Sequence, residues 1–118
     1  MDDLTNEQKL LLTAMYRDYL ELSKKVGPEK ANAFGDSDEI NYKYFIDRSN
    51  SYVSSLCWTL YRKGYIDCHG GDNKANEISI TDDTIIYFEN KFKNNASKVL
   101  NAICLLYTSP SPRDAHES

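Results

Sequence analysis

The sequence predicts a mainly α-helical domain that carries one small β-hairpin between its helices. Three observations support this fold class. Apolar residues recur at intervals of three and four in several stretches, which is the period of a helix with one buried face. Ile78 and Ile80 alternate with polar neighbours, as residues of a half-buried strand do. The run Gly70-Gly71-Asp72-Asn73 before them has the composition of a tight turn.

The first helix is predicted over residues 4–26. Thr5 is a candidate N-cap, and Gln8 three residues later completes the pattern of a capping box. Gly27 and Pro28 end the helix. The apolar stripe consists of Leu4, Leu11, Leu12, Met15, Tyr19 and Leu22.

A short helix follows and is predicted to end near Ile46. Residues 29–33 allow one preceding helical turn, after which Phe34 anchors the chain to the core and Gly35 breaks the turn. Asp36 and its acidic neighbours favour a helix start, because carboxylates stabilise the exposed N–H groups of a first turn. An extended segment over residues 41–45 is the alternative, since tyrosine and phenylalanine favour strands. The helix is the favoured interpretation.

The third main helix is predicted over residues 50–63. Ser49, Asn50 and Ser51 are all able to cap its N-terminus, and Gly64 is suited to the left-handed conformation after its end. Its apolar side carries Val53, Leu56, Cys57 and Leu60. The opposite side carries Ser51, Ser54, Ser55, Trp58, Thr59 and Arg62.

The strands of the hairpin precede a long last helix. Thr81 is its predicted N-cap, with Asp82 and Asp83 in the first turn. One continuous apolar stripe is predicted along Ile85, Phe88, Phe92, Ala96, Val99 and Ile103. Ile86, Tyr87 and Leu100 lie off that stripe, which suggests a partner surface or a homodimer formed through the terminal helices.

A sequence pattern joins the third helix to the hairpin: Leu-x-x-x-Gly-Tyr-Ile, a turn, a strand, then Ile-Thr. The matching residues are Leu60, Gly64, Tyr65, Ile66, Ile80 and Thr81. This pattern resembles the winged helix-turn-helix superfamily, and the overall plan is similar to YjcQ-like small proteins of bacteria and their phages. The resemblance implies a winged-helix domain over residues 1–103 with long N- and C-terminal helices, and a transcriptional regulator that binds DNA.

If the domain binds DNA, the helix over residues 50–63 is expected to enter the major groove. Serine and threonine hydroxyls commonly bind phosphate oxygens, and Arg62 can pair with phosphate or guanine. Lys63 and Lys74 are then predicted to hold the DNA backbone from the helix end and the hairpin. The predicted DNA-binding set is Ser51, Ser54, Ser55, Trp58, Thr59, Arg62, Lys63 and Lys74.

The charge of the chain also allows a second function on the same scaffold, a protein-interaction module that does not bind DNA. The formal charge is −4, and residues 37–81 hold five basic and six acidic side chains. DNA affinity depends strongly on phosphate neutralisation, so this balance predicts no basic patch. Trp58 is predicted either to form a contact surface or to pack under the first or last helix.

Other function classes find little support in the sequence. His69 has no serine or cysteine partner by pattern, and Cys57, Cys68 and His69 do not have the spacing of a zinc site. We therefore expect no enzyme, no metal and no cofactor. The chain has no apolar run of membrane-spanning length, and its acidic start is unlike a secretory signal, which predicts a cytoplasmic protein without membrane contact.

The last residues form a separate segment. Residues 104–114, CLLYTSPSPRD, resemble the translation of a transposon-end adapter used in sequencing libraries. Residues 104–118 are therefore expected to be an artefactual or disordered tail, and the natural C-terminus is expected to differ.

Overall fold

Capping side chains set where the main helices begin. A computed structural model of the protein describes residues 1–71 and 74–108. In this part of the chain, the predicted mainly helical class with one two-stranded antiparallel sheet is confirmed. The elements are α1 (Asn6–Val26), α2 (Pro28–Ala31), α3 (Ser37–Tyr44), α4 (Asn50–Arg62), β1 (Ile66–Gly71), β2 (Lys74–Ile80), α5 (Asp82–Phe92) and α6 (Ala96–Thr108).

The predicted capping box at the start of α1 is present. The Thr5 N–H donates to Gln8 Oε1 at 2.9 Å, and the Gln8 N–H donates to Thr5 Oγ1 at 3.2 Å. Ser49 Oγ accepts the Tyr52 N–H at 3.1 Å at the start of α4, and Thr81 caps α5 in the same way. The sequence predicts these helix starts because each capping side chain and the N–H that it accepts are three residues apart.

The helical interpretation of α3 is confirmed, and the extended alternative for residues 41–45 is wrong. Asp36 Oδ1 accepts the Glu39 N–H at 2.9 Å, and the Phe45 N–H donates to the Asn41 carbonyl at 3.0 Å. Ile40 and Phe45 are buried against the core. The capping carboxylate and this burial outweigh the preference of the aromatic residues for a strand.

The hairpin contains a β-bulge on its second strand. Asp67 pairs with Ser79 and His69 pairs with Asn76, so Cys68 alone lies opposite two residues, Glu77 and Ile78. Glu77 has a φ of 51°, which is uncommon for a residue with a side chain. The turn predicted over Asp72 and Asn73 lies outside the described residues, as do residues 109–118.

The segment between α2 and α3 fastens the chain to β2. The Phe34 N–H donates to the Ile78 carbonyl at 2.9 Å, and the Ile78 N–H donates to the Gly35 carbonyl at 2.8 Å. Nearby, the Asn32 amide donates to the Ile80 carbonyl at 2.9 Å and accepts the Ile80 N–H at 2.8 Å. This pairing holds the hairpin next to α3.

The prediction of one continuous last helix is wrong, because the chain breaks between α5 and α6. Lys93 and Asn94 adopt positive φ angles of 53° and 58°, which end α5. The apolar stripe nevertheless continues across the break, with Phe88, Phe92, Val99 and Ile103 buried. Helical spacing of apolar residues along a segment therefore does not establish that the segment is a single helix. α6 continues to Thr108, so the predicted boundary after Ile103 lies within a helix.

The core is formed by residues of α1, α3, α4, α5 and α6 together with residues of the two hairpin strands. Tyr16 of α1 stacks on Phe88 of α5 with ring centroids 4.9 Å apart, and Phe88 stacks on Phe92 at 5.8 Å. Leu22, predicted as part of the α1 stripe, is instead 42% exposed near the helix end. The fully buried residues Leu11, Leu12, Met15, Val53, Cys57 and Leu60 come from α1 and α4.

Candidate interaction surface on helix α4

One side of α4 is turned away from the core and forms the candidate surface, which we call the α4 face. It consists of Ser51, Ser54, Ser55, Trp58, Thr59 and Arg62. Residues at this spacing share one side of a helix. Ser51, Ser55 and Arg62 are exposed, and the other three are half-buried. The structure therefore brings six of the eight predicted site residues together along one helix.

Trp58 is the largest side chain of the α4 face and contacts the hairpin. Its ring meets the Tyr61 ring edge-on, with centroids 5.6 Å apart. It also lies against β1, since a Cβ atom built on Gly70 would be 3.7 Å from Trp58 Cη2. Trp58 is half-buried, and the contacts shown are with Tyr61 and the hairpin, not the predicted packing under the first or last helix.

The two basic residues at the end of α4 differ in their contacts. Arg62 Nη2 lies 3.2 Å from Thr59 Oγ1, so its contact on the α4 face is with a neutral hydroxyl. Lys63 Nζ donates to the main-chain carbonyl of Asp3 at 2.6 Å. The Asp3 carboxylate accepts the Tyr65 hydroxyl at 2.7 Å. The start of the chain therefore lies beside the end of α4.

Lys74, the predicted backbone contact on the hairpin, is held by carboxylates of the α3 start. Its Nζ lies 3.0 Å from Asp38 Oδ2 and 3.1 Å from Asp36 Oδ2. The hydrogen bonds to Asp38 and Asp36 raise the pKa of Lys74. A phosphate would have to replace these carboxylates, so the structure places Lys74 with α3 rather than with the α4 face.

The basic residues before α4 are paired with carboxylates of α1. Lys43 Nζ lies 3.2 Å from Asp18 Oδ2, and Arg48 Nη2 lies 2.5 Å from Glu7 Oε2. Among the described basic residues of this region, Lys43, Arg48 and Lys74 are therefore paired with carboxylates. Lys63 instead donates to a main-chain carbonyl, and Arg62 contacts a neutral hydroxyl. The sequence predicts the overall charge balance but not these long-range pairs.

Several exposed aromatic and aliphatic residues near α4 were not in the predicted set. Tyr42 and Ile46, at the corner between α3 and α4, are 75% and 72% exposed. Tyr52 and Tyr61 on α4 are partly exposed as well. For Tyr52 and Tyr61, the signal available in the sequence was their position outside the apolar spacing of Val53, Leu56 and Leu60. A surface with tyrosine, tryptophan, serine and arginine has the composition of many protein-recognition sites.

The described residues also show how the His, Cys, Asp and Glu side chains are placed relative to one another. No three His, Cys, Asp or Glu side chains within residues 1–71 and 74–108 are grouped to hold a metal ion. His69 Nε2 lies 3.5 Å from Glu77 Oε2, and both side chains are largely exposed. No helix in the described ranges combines the length and apolar content that crossing a bilayer requires.

Comparisons of the chain with protein-family models, with curated proteins and with solved structures found no match.

Proposed function

We propose that the chain is a winged-helix domain that binds double-stranded DNA, with α4 in the major groove. The observation that carries this proposal is the outward-facing, mostly small and hydroxylated side of α4, next to a two-stranded hairpin. Two consecutive helices, α3 and α4, followed directly by β1 and β2, give the element order of a helix-turn-helix with one wing. In such a motif the second helix is the one that contacts bases.

The α4 face offers two kinds of DNA contact. Ser51, Ser54 and Ser55 present hydroxyls that are short enough to let the helix backbone approach the groove, where they donate to phosphate oxygens. Arg62 has a planar guanidinium that pairs with guanine or phosphate, and its neighbour in the fold is the neutral hydroxyl of Thr59. Arg62 is therefore the residue whose removal should weaken DNA binding most.

The charge arrangement sets the expected salt dependence. Lys43, Arg48 and Lys74 are held by carboxylates, which leaves Arg62 and Lys63 as the main groups that release counterions from DNA. About two such contacts predict a slope of about −2 in a plot of log affinity against log salt concentration. This slope is shallow for a DNA-binding domain, and non-specific affinity is expected to be low.

The test is fluorescence anisotropy with a labelled duplex of mixed sequence at low salt. Arg62→Ala should weaken binding roughly tenfold, because it removes a charge-assisted contact of 1–3 kcal/mol. Lys25→Ala is the matched control, because Lys25 is exposed near the end of α1 and its substitution also removes one positive charge. No binding by the unmodified protein at low salt, or an equal loss in both variants, would refute the proposal.

A protein-interaction module is the second candidate, and the aromatic content of α4 favours it. Tyr52, Trp58 and Tyr61 lie on the same helix as Arg62 and are at least partly exposed, and these residue types dominate protein–protein hot spots. Tyr61→Ser is a better test than Trp58→Ala, because the tryptophan ring also supports β1. A protein partner that binds the unmodified domain and is lost in Tyr61→Ser, together with absent DNA binding, would favour this candidate.

A further inference from the structure

Glu7, in the first turn of α1, contacts both the residue before the α4 N-cap and the first turn of α4. Its Oε2 lies 2.5 Å from Arg48 Nη2, and its Oε1 accepts the Tyr52 hydroxyl at 2.5 Å. The Arg48 guanidinium stands 5.6 Å from the centre of the Tyr52 ring. One carboxylate thus orients an arginine and a tyrosine at the edge of the α4 face.

The pair of Arg48 and Glu7 lies at the surface. The side chains are 45% and 30% exposed, respectively. Ion pairs with this exposure contribute little to stability, and other ions compete for them. Separation of Arg48 from Glu7 therefore costs the fold little.

A phosphate oxygen and a carboxylate oxygen bind an arginine in the same way. The guanidinium presents parallel N–H donors that match two oxygens of either group. Glu7 supplies such an oxygen from within the chain, and its negative charge also repels an approaching phosphate. Arg48 lies over the ring of Tyr52 at the start of α4, next to Ser51 of the α4 face, so a DNA strand that reaches this end of the face would come near Arg48.

We propose that Arg48 is a further phosphate-binding residue and that Glu7 is its intramolecular competitor. This inference rests on the proposed DNA binding through α4. DNA must displace Glu7 before Arg48 contributes to affinity. The first turn of α1 therefore lowers DNA affinity, although it lies outside the helix-turn-helix.

The experiment compares Glu7→Gln with Glu21→Gln in the anisotropy assay with the mixed-sequence duplex, over a series of salt concentrations. Glu21 is exposed on the same helix, and helix rise places it on the order of 20 Å from Glu7. Both variants remove one negative charge, but only Glu7→Gln also releases Arg48 and removes the repulsion of a phosphate close to the α4 face. An Arg48→Gln background separates these two effects. Far-UV circular dichroism confirms that each variant is folded.

We expect Glu7→Gln to bind about threefold to tenfold more tightly than Glu21→Gln at low salt. Its salt slope should be steeper by about one unit, because one more cation contacts phosphate. In an Arg48→Gln background, Glu7→Gln should give a clearly smaller gain, because only the loss of repulsion remains, and the salt slope should not become steeper.

Two results would overturn the inference while leaving DNA binding intact: equal affinity of the two variants, or weaker binding by Glu7→Gln. Weaker DNA binding by Glu7→Gln would show that Glu7 holds Arg48 in a position that favours binding. No binding by the unmodified protein or by any variant would overturn the proposed function and this inference together.

Discussion

Asp18 joins α1 to α3 through its carboxylate. It accepts a short hydrogen bond from the Tyr44 hydroxyl, and Lys43 Nζ and Arg17 Nη2 each lie 3.2 Å from its oxygens. Burial alone raises the pKa of Asp18, but the bond from Tyr44 and the two positive charges together hold it below the usual 3.8. The folded protein therefore favours the charged form of Asp18.

The pH dependence of stability follows from this shift. A carboxyl group whose pKa is lower in the folded state stabilises the fold above its unfolded pKa, and this contribution disappears as the pH falls through the folded value. Asp18→Asn should lower the free energy of unfolding by about 2 kcal/mol at pH 7, since it removes hydrogen bonds to a charged group.

Below about pH 4 the difference in stability between Asp18→Asn and the unmodified protein should shrink, because the unmodified side chain is also becoming neutral. Urea unfolding at a series of pH values measures it. Asp47→Asn, which removes an exposed carboxylate, controls for the general effect of charge. A difference that stays constant down to pH 2 would contradict the assignment to Asp18.

The side-chain partners of the candidate site were predictable only where they are close in sequence. Thr59 and Arg62 are one helical turn apart, and the spacing alone indicates that they can touch. Lys74 and Asp38 are 36 positions apart, and Arg48 and Glu7 are further apart still. Such pairs depend on how α1 and α3 pack around α4, which periodicity does not determine. The sequence therefore predicts the α4 face but not the pairing of the cations around it.

At the scale of the elements, the end of α5 is the clearest departure from sequence-based expectation. Lys93 takes the left-handed conformation at the C-cap, where glycine is the usual residue. The neighbouring Asn94 tolerates a positive φ and accepts the Tyr16 hydroxyl at 3.3 Å. With no glycine or proline at this point, the sequence lacked the usual stop signal. The pair Asn94-Asn95 was the remaining indication of a break.

Lys93→Gly should stabilise the protein by about 0.5–1 kcal/mol, because glycine adopts this backbone conformation without a Cβ clash. Thermal or urea unfolding measures the effect. Lys91→Gly, two residues earlier inside α5, is the matched control and should destabilise by about 1 kcal/mol. Destabilisation by both substitutions would show that Lys93 is not strained at its position.

The whole molecule depends on α6 for closure of its core. Val99 is fully buried and Ile103 is 5% exposed, and both belong to the part of the chain that precedes the adapter-like segment. Leu106, inside that segment, is half-buried and packs against the same core. Val99 and Ile103 therefore contribute to the core separately from Leu106, and truncations at different points can measure the two contributions.

A chain of residues 1–103 should remain folded and lose about 1–2 kcal/mol of stability with the contacts of Leu106. A chain of residues 1–95 also loses Val99 and Ile103, each worth about 1.5–3 kcal/mol, which approaches the whole stability of a small domain. Circular dichroism and urea unfolding distinguish the two. Loss of cooperative unfolding in the longer chain would show that the fold requires residues after Ile103.

The backbone pairing of Phe34 and Gly35 with Ile78 has a consequence for the behaviour of the protein in concentrated solution. A bare strand edge invites a strand from another molecule, which is a common route to aggregation. Here the chain's own backbone occupies the outer side of β2 at Ile78, and the Asn32 amide occupies it at Ile80. Intermolecular strand addition at β2 would require the segment between α2 and α3 to detach first.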